Sequence, residues 1–88
     1  MSTRPTKPTI GRIVIYRAKT RGYLLPAIIT ATVDTLDPEG VERGDVPPLT
    51  DPTHVHLNVQ TCGAQVAYQE FDVPMGGDPG TWAWPALV

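Results

Sequence analysis

Tyr23 to Asp34, YLLPAIITATVD, is the longest stretch of the chain whose apolar residues keep a two-residue period. In an extended chain Ala27, Ile29, Ala31 and Val33 point one way, and Ile28, Thr30, Thr32 and Asp34 the other. Its β-branched residues fit a half-buried pleated surface. Pro26 has no backbone donor and suits the first residues of a strand or an unpaired edge. The spacing therefore predicts a β-strand around which the rest of the chain pairs.

Upstream, Ile10 to Arg17, IGRIVIYR, places Ile13 and Ile15 on one side and Val14 and Tyr16 on the other. With both faces apolar, this strand belongs in a closed small barrel or under a partner. Ala18 to Gly22, AKTRG, is short and ends in glycine, which makes the first two strands an antiparallel hairpin with Lys19 and Arg21 at its tip. Downstream, Leu36 to Thr53 contains four prolines, two glycines and six charged residues without a period. It reads as one long loop, above the roughly 12–15 residues at which loops become uncommon in compact domains.

His54 to Gln60, HVHLNVQ, alternates cleanly, with Val55, Leu57 and Val59 inward and His54, His56, Asn58 and Gln60 outward. A TCG link leads to AQVAYQEFDVP, where Val66 and Tyr68 alternate with polar positions, so a second hairpin is expected. After the turn-rich MGGDPG, Thr81 to Pro85 forms a short last strand with Trp82 and Trp84 on one face. The sum is an all-β fold: a small five-stranded barrel or bent antiparallel sheet of SH3-like size, with one long loop at 36–53. Residues 1–9, MSTRPTKPT, lack a large apolar side chain after Met1 and read as an extended N-terminal arm on a single domain, 10–88.

Eighty-eight residues bury only about 60–65% of their unfolded surface, so the core is thin and help from a partner is expected. One cysteine, Cys62, cannot form an internal disulfide, and no Cys/His set has structural-zinc spacing. No stretch approaches the roughly 20 apolar residues of a membrane span. The net charge is −2, but six of the seven bases precede Asp34, and all nine acids lie from Asp34 onward. Either the two regions form a dipole that steers one face toward an acidic surface, or the sheet brings bases and acids together. The balance argues against nonspecific nucleic-acid binding.

No catalytic set stands out. His54 and His56, with Asp51 and Cys62 nearby in sequence, suggest a metal site only if a third rigid ligand exists; exposed strand histidines are the simpler reading. Cys62 beside glycine lacks a fixed base and orienter, and Glu70 and Asp72 read as same-face carboxylates on a solvated strand end. No enzyme activity and no cofactor are expected.

PTIGRIVIYR at 8–17, LPAIITATV at 25–33, VHLNVQ at 55–60 and DPGTWAWP at 78–85 together resemble a family of small proteins encoded by tailed bacteriophages and prophages. The more specific parts are GRIVIYR, Gly11 to Arg17, and GTWAWP, Gly80 to Pro85. Many members carry a longer insertion between the first two strands than AKTRG. The resemblance implies a phage origin. Among phage proteins of this size, the role that suits the residues is a non-enzymatic capsid decoration or minor head protein on the virion surface, assembled in the host cytoplasm. Its expected partner is the major capsid protein, with self-association on the capsid and without nucleic acid or membrane.

In this reading Arg4, Pro5, Lys7 and Pro8 contribute the arm, with the prolines lowering the entropy lost on ordering. Lys19 and Arg21 meet acidic capsid residues, and Trp82 and Trp84 are either interface anchors or core. The alternatives are a small β-barrel module that binds a host protein, and a tail or head-tail connector subunit.

Overall fold

The computed structural model describes residues 7–61 and 66–85. Five strands form one antiparallel sheet: β1 (Ile13–Arg17), β2 (Leu24–Ala31), β3 (Val55–Val59), β4 (Tyr68–Val73) and β5 (Trp82–Ala83), in the spatial order β4-β3-β2-β1-β5. Ala18 donates its N–H to the Tyr23 carbonyl at 2.7 Å and closes the β1–β2 hairpin. At the far edge, Trp82 N–H donates to Pro74 and Gly76 N–H to Trp82, both at 3.0 Å. The chain leaving β4 is thereby drawn alongside β5, and the sheet curls into a half-barrel, the small bent all-β sheet that the strand spacing predicts.

The concave side holds the core. Val14 and Tyr16 of β1, Ala27 and Ile29 of β2, Val55, Leu57 and Val59 of β3, Val73 and Trp82 are all buried. Trp82 is the largest of the fully buried side chains. Its indole N–H donates to the Thr53 carbonyl at 3.0 Å, and its ring meets Trp84 edge-on with centroids 5.2 Å apart. A buried tryptophan with its one polar atom satisfied combines a large apolar area with no desolvation penalty left open.

Two irregularities break the alternation that the sequence suggests. The β2–β3 register shifts between Ile29 and Ala31, so Ala27 and Ile29 face the core, Ala31 is only half-buried, and Thr32 is buried in place of Val33. Thr32 then ends the strand, because its N–H donates to the Thr35 hydroxyl at 2.9 Å instead of a ladder carbonyl. The β3–β4 register shifts between Val55 and Leu57, and Asp72 takes the left-handed conformation at φ 52°. A bulge of this kind re-aims side chains, and Glu70 and Asp72 do not share an environment as their spacing suggests.

The long loop is also not structureless. Pro38–Arg43 is a short helix, α1. Asp37 caps its start by accepting from Glu39 N–H at 3.1 Å, Pro38 opens the first turn, and Gly44 at φ 83° closes it. Gly40 is buried there, since a Cβ would lie 2.7 Å from Val46. The strand expected from Ala64 starts at Tyr68, and Val66 is 83% exposed instead of buried. The TCG link falls largely outside the described residues.

Candidate functional site

The register of β1 and β2 fixes what the convex side presents. Ile13 lies opposite Ile28, Ile15 opposite Pro26 and Arg17 opposite Leu24. These are the residues between the buried positions Val14, Tyr16, Ala27 and Ile29, so they point away from the core. Ile13 and Leu24 are each 60% exposed and Ile28 is 37% exposed. Cross-strand pairing thus gathers branched apolar side chains into one patch. From Ile15 and Leu24 the patch continues into a shallow groove of about 250 Å³ walled by Ala83 and Trp84.

The other half of the convex side is different. His56 points outward from β3 by period, yet it is buried, at 3% exposure. Its Nε2–H donates to the Pro47 carbonyl at 2.7 Å, and its Nδ1 accepts from Asp72 N–H at 3.0 Å. Phe71 packs edge-on against the ring. Beside it, the Asp72 carboxylate accepts from the Thr50 N–H at 3.0 Å, from the Thr50 hydroxyl and from His54 Nδ1–H at 2.9 Å. Burial pushes the Asp72 carboxyl up, but the hydrogen bonds from Thr50 and His54 outweigh it and hold the group below its ordinary range. Thr53, through its N–H and its hydroxyl, likewise lowers Asp51. The loop from Pro47 to Thr53 therefore lies over β3 and β4 as a tied-down cover.

This geometry answers the expectations placed on individual residues. Trp82 is core rather than an interface anchor, and Trp84 is half-buried on the groove wall. Lys7 pairs with Asp34, and Pro8 is buried, so this end of the arm packs on its own domain instead of reaching outward. Arg4, Pro5 and Cys62 lie outside the described residues. Lys19 stands 3.5 Å from Glu70, and Arg21 is exposed, with its guanidinium donating to the Tyr23 hydroxyl at 3.5 Å. Lys7 and Lys19 thus meet acids from the later part of the chain, which is the pairing reading of the charge asymmetry.

His54 and His56 do not form a shared open chelate, because both His56 nitrogens are engaged by backbone atoms. Among the described residues no three metal-ligating side chains cluster. The apolar patch is half legible in sequence: the alternation places Ile13 and Ile15 on one apolar face, but does not show its bareness, since exposure depends on what the rest of the chain covers. Comparison of the chain with protein-family models, with curated proteins and with solved structures gives no match.

Proposed function

We propose that this protein is a non-enzymatic component of a bacteriophage virion, a capsid decoration or minor head protein that docks on the major capsid lattice through the convex face of β1 and β2. The observation that carries the reading is the uncovered patch of Ile13, Leu24 and Ile28 on a rigid hairpin. Branched apolar residues held in register by a sheet lose little further entropy on binding, and they exclude water from a matching surface. The phage resemblance of the strand motifs supports a virion setting. With Trp82 in the core and Lys7 engaged by Asp34, the contact surface shifts from the arm and the tryptophans to this face.

Cosedimentation of the purified protein with shells of its phage that lack it tests the reading. Saturable binding at a stoichiometry matching the lattice is expected, and Ile13→Thr with Ile28→Thr should weaken it at least tenfold, on the order of the loss of two central apolar contacts. Binding that ignores both substitutions would move the contact elsewhere. No binding, with the protein instead retained by a host protein or a connector ring, would overturn the capsid assignment.

A further inference from the structure

On the concave side, at the open end of the half-barrel beside the hairpin tip, lies a cleft of about 860 Å³. All three tyrosines of the chain line it: Tyr16 from β1, Tyr23 from the entry to β2 and Tyr68 from β4. The β1–β2 hairpin and the distant strand β4 thus deliver the same side chain to one cavity. Leu25 supplies apolar floor, and the Lys19–Glu70 ion pair closes one side.

Tyr16 carries the argument. Its side chain is 99% buried, being only 1% exposed, and its hydroxyl has no hydrogen-bond partner among the described residues. Among the described residues no enclosed side-chain polar atom lacks a partner, so this hydroxyl is the part of Tyr16 that opens into the cleft. The ring is buried up to its hydroxyl, and the hydroxyl, open to the cleft, is free to exchange a water for a ligand group. Burial, with the nearby Glu70 and Tyr68 adding to it, pushes the Tyr16 phenol up to about 12. It therefore remains a hydrogen-bond donor at any ordinary pH.

The chemistry of the walls selects a ligand. Lys19 and Glu70 cancel in charge, so the cleft favours neither a phosphate nor a cation. It offers aromatic faces at Tyr23 and Tyr68, and both donors and acceptors at the phenols, the ammonium, the carboxylate and the Thr20 hydroxyl. A neutral ring compound with an apolar face and hydroxyls around its edge matches all of these at once. A proline-rich peptide matches the aromatic faces, but it brings carbonyl acceptors and few donors, and so leaves the phenol oxygens and the Thr20 hydroxyl without a donor. From the unpartnered Tyr16 hydroxyl in a charge-balanced tyrosine cleft, we infer that the concave face binds a neutral saccharide chain. Leu24 borders both this cleft and the convex patch, but Ile13 and Ile28 do not line the cleft, and the inference does not rest on the virion reading.

The test is a two-dimensional NMR titration of the full chain with maltohexaose, cellohexaose, chitohexaose and xylohexaose, and with a proline-rich decapeptide alongside. At least one hexasaccharide should move the resonances of Tyr16, Lys19 and Glu70 saturably in the millimolar range. Tyr16→Phe should weaken that binding about tenfold, the value of one hydrogen bond, with the thermal midpoint of unfolding unchanged. Tyr23→Ala, at an exposed wall position, should weaken it by about as much through lost stacking. Ile13→Thr with Ile28→Thr should leave it intact, since neither residue lines the cleft. Silence from all four saccharides, binding indifferent to both tyrosine variants, or binding of the decapeptide alone would each overturn the inference.

Discussion

The two halves of the convex face are built on the same sheet and end in opposite states. Over β3 and β4, His56 is sealed by Pro47 and by the backbone of Asp72, and the loop is tied down at Thr50. Over β1 and β2, Ile13 and Ile28 face open solvent. The covered half buries a histidine while Phe71 beside it stays half-exposed, and the bare half is apolar, the reverse of what burial alone favours. The reason is connectivity. The long link between β2 and β3 has chain enough to fold back over the sheet, whereas the β1–β2 turn is closed within Ala18 to Tyr23. A connection covers a sheet face only where it has the length to reach it, and among the described residues none reaches over the β1–β2 half.

Substitutions on the two halves and on the core behind them should separate in size. Trp82→Ala, the reference for loss of the shared core, should cost about 3–5 kcal/mol or prevent folding, as read by urea denaturation. A loss below 1 kcal/mol there, on the order of a surface change, would mean that the tryptophan is not the keystone of the concave side. On the covered half, Asp72→Ala removes the acceptor for Thr50 and His54 and should cost about 1–2 kcal/mol. The same residue should show in the acid limb. Its carboxyl is depressed in the folded state, so its contribution is present above the unfolded value near 4 and is lost as pH falls through the lower folded value. Urea midpoints should fall with pH in that window for the natural chain and fall less for Asp72→Ala. Parallel curves would detach the loop cover from Asp72.

On the bare half, Ile13→Thr with Ile28→Thr keeps β-branching and should change stability by no more than about 0.5 kcal/mol at each site. It should nonetheless abolish most shell binding. A large stability loss would show that the patch is already covered in the free protein, by a second copy, and a sedimentation measurement of the free protein would then find a dimer.

The legible parts of the molecule were those governed by local pattern. The inward positions Val55, Leu57 and Val59 follow from period-two alternation, as do the two-face groupings of Val14 with Tyr16 and of Ala27 with Ile29. The two hairpins follow from the connections read between their strands. Which face of β1 and β2 is core, and the order of the strands, do not follow from it. The helix at Pro38–Arg43 was legible in principle, since Asp37, Pro38 and Gly44 are cap residues, but it is too short to show a period. The tyrosine cleft was not legible, because Tyr68 comes from β4, far in sequence from the hairpin that carries Tyr16 and Tyr23.

An all-β chain with alternating strands is written into the residues themselves, because the two-residue grouping of side chains is a local property of each strand. Tertiary structure alone decided which exposed positions were covered and which polar groups met. The bulges at β2 and β4 moved Thr32 and Asp72 out of phase, the loop closed over His56, and Trp82 was drawn into the core. Each of these depends on contacts between residues far apart in the chain, where side-chain period carries no information about distance in space.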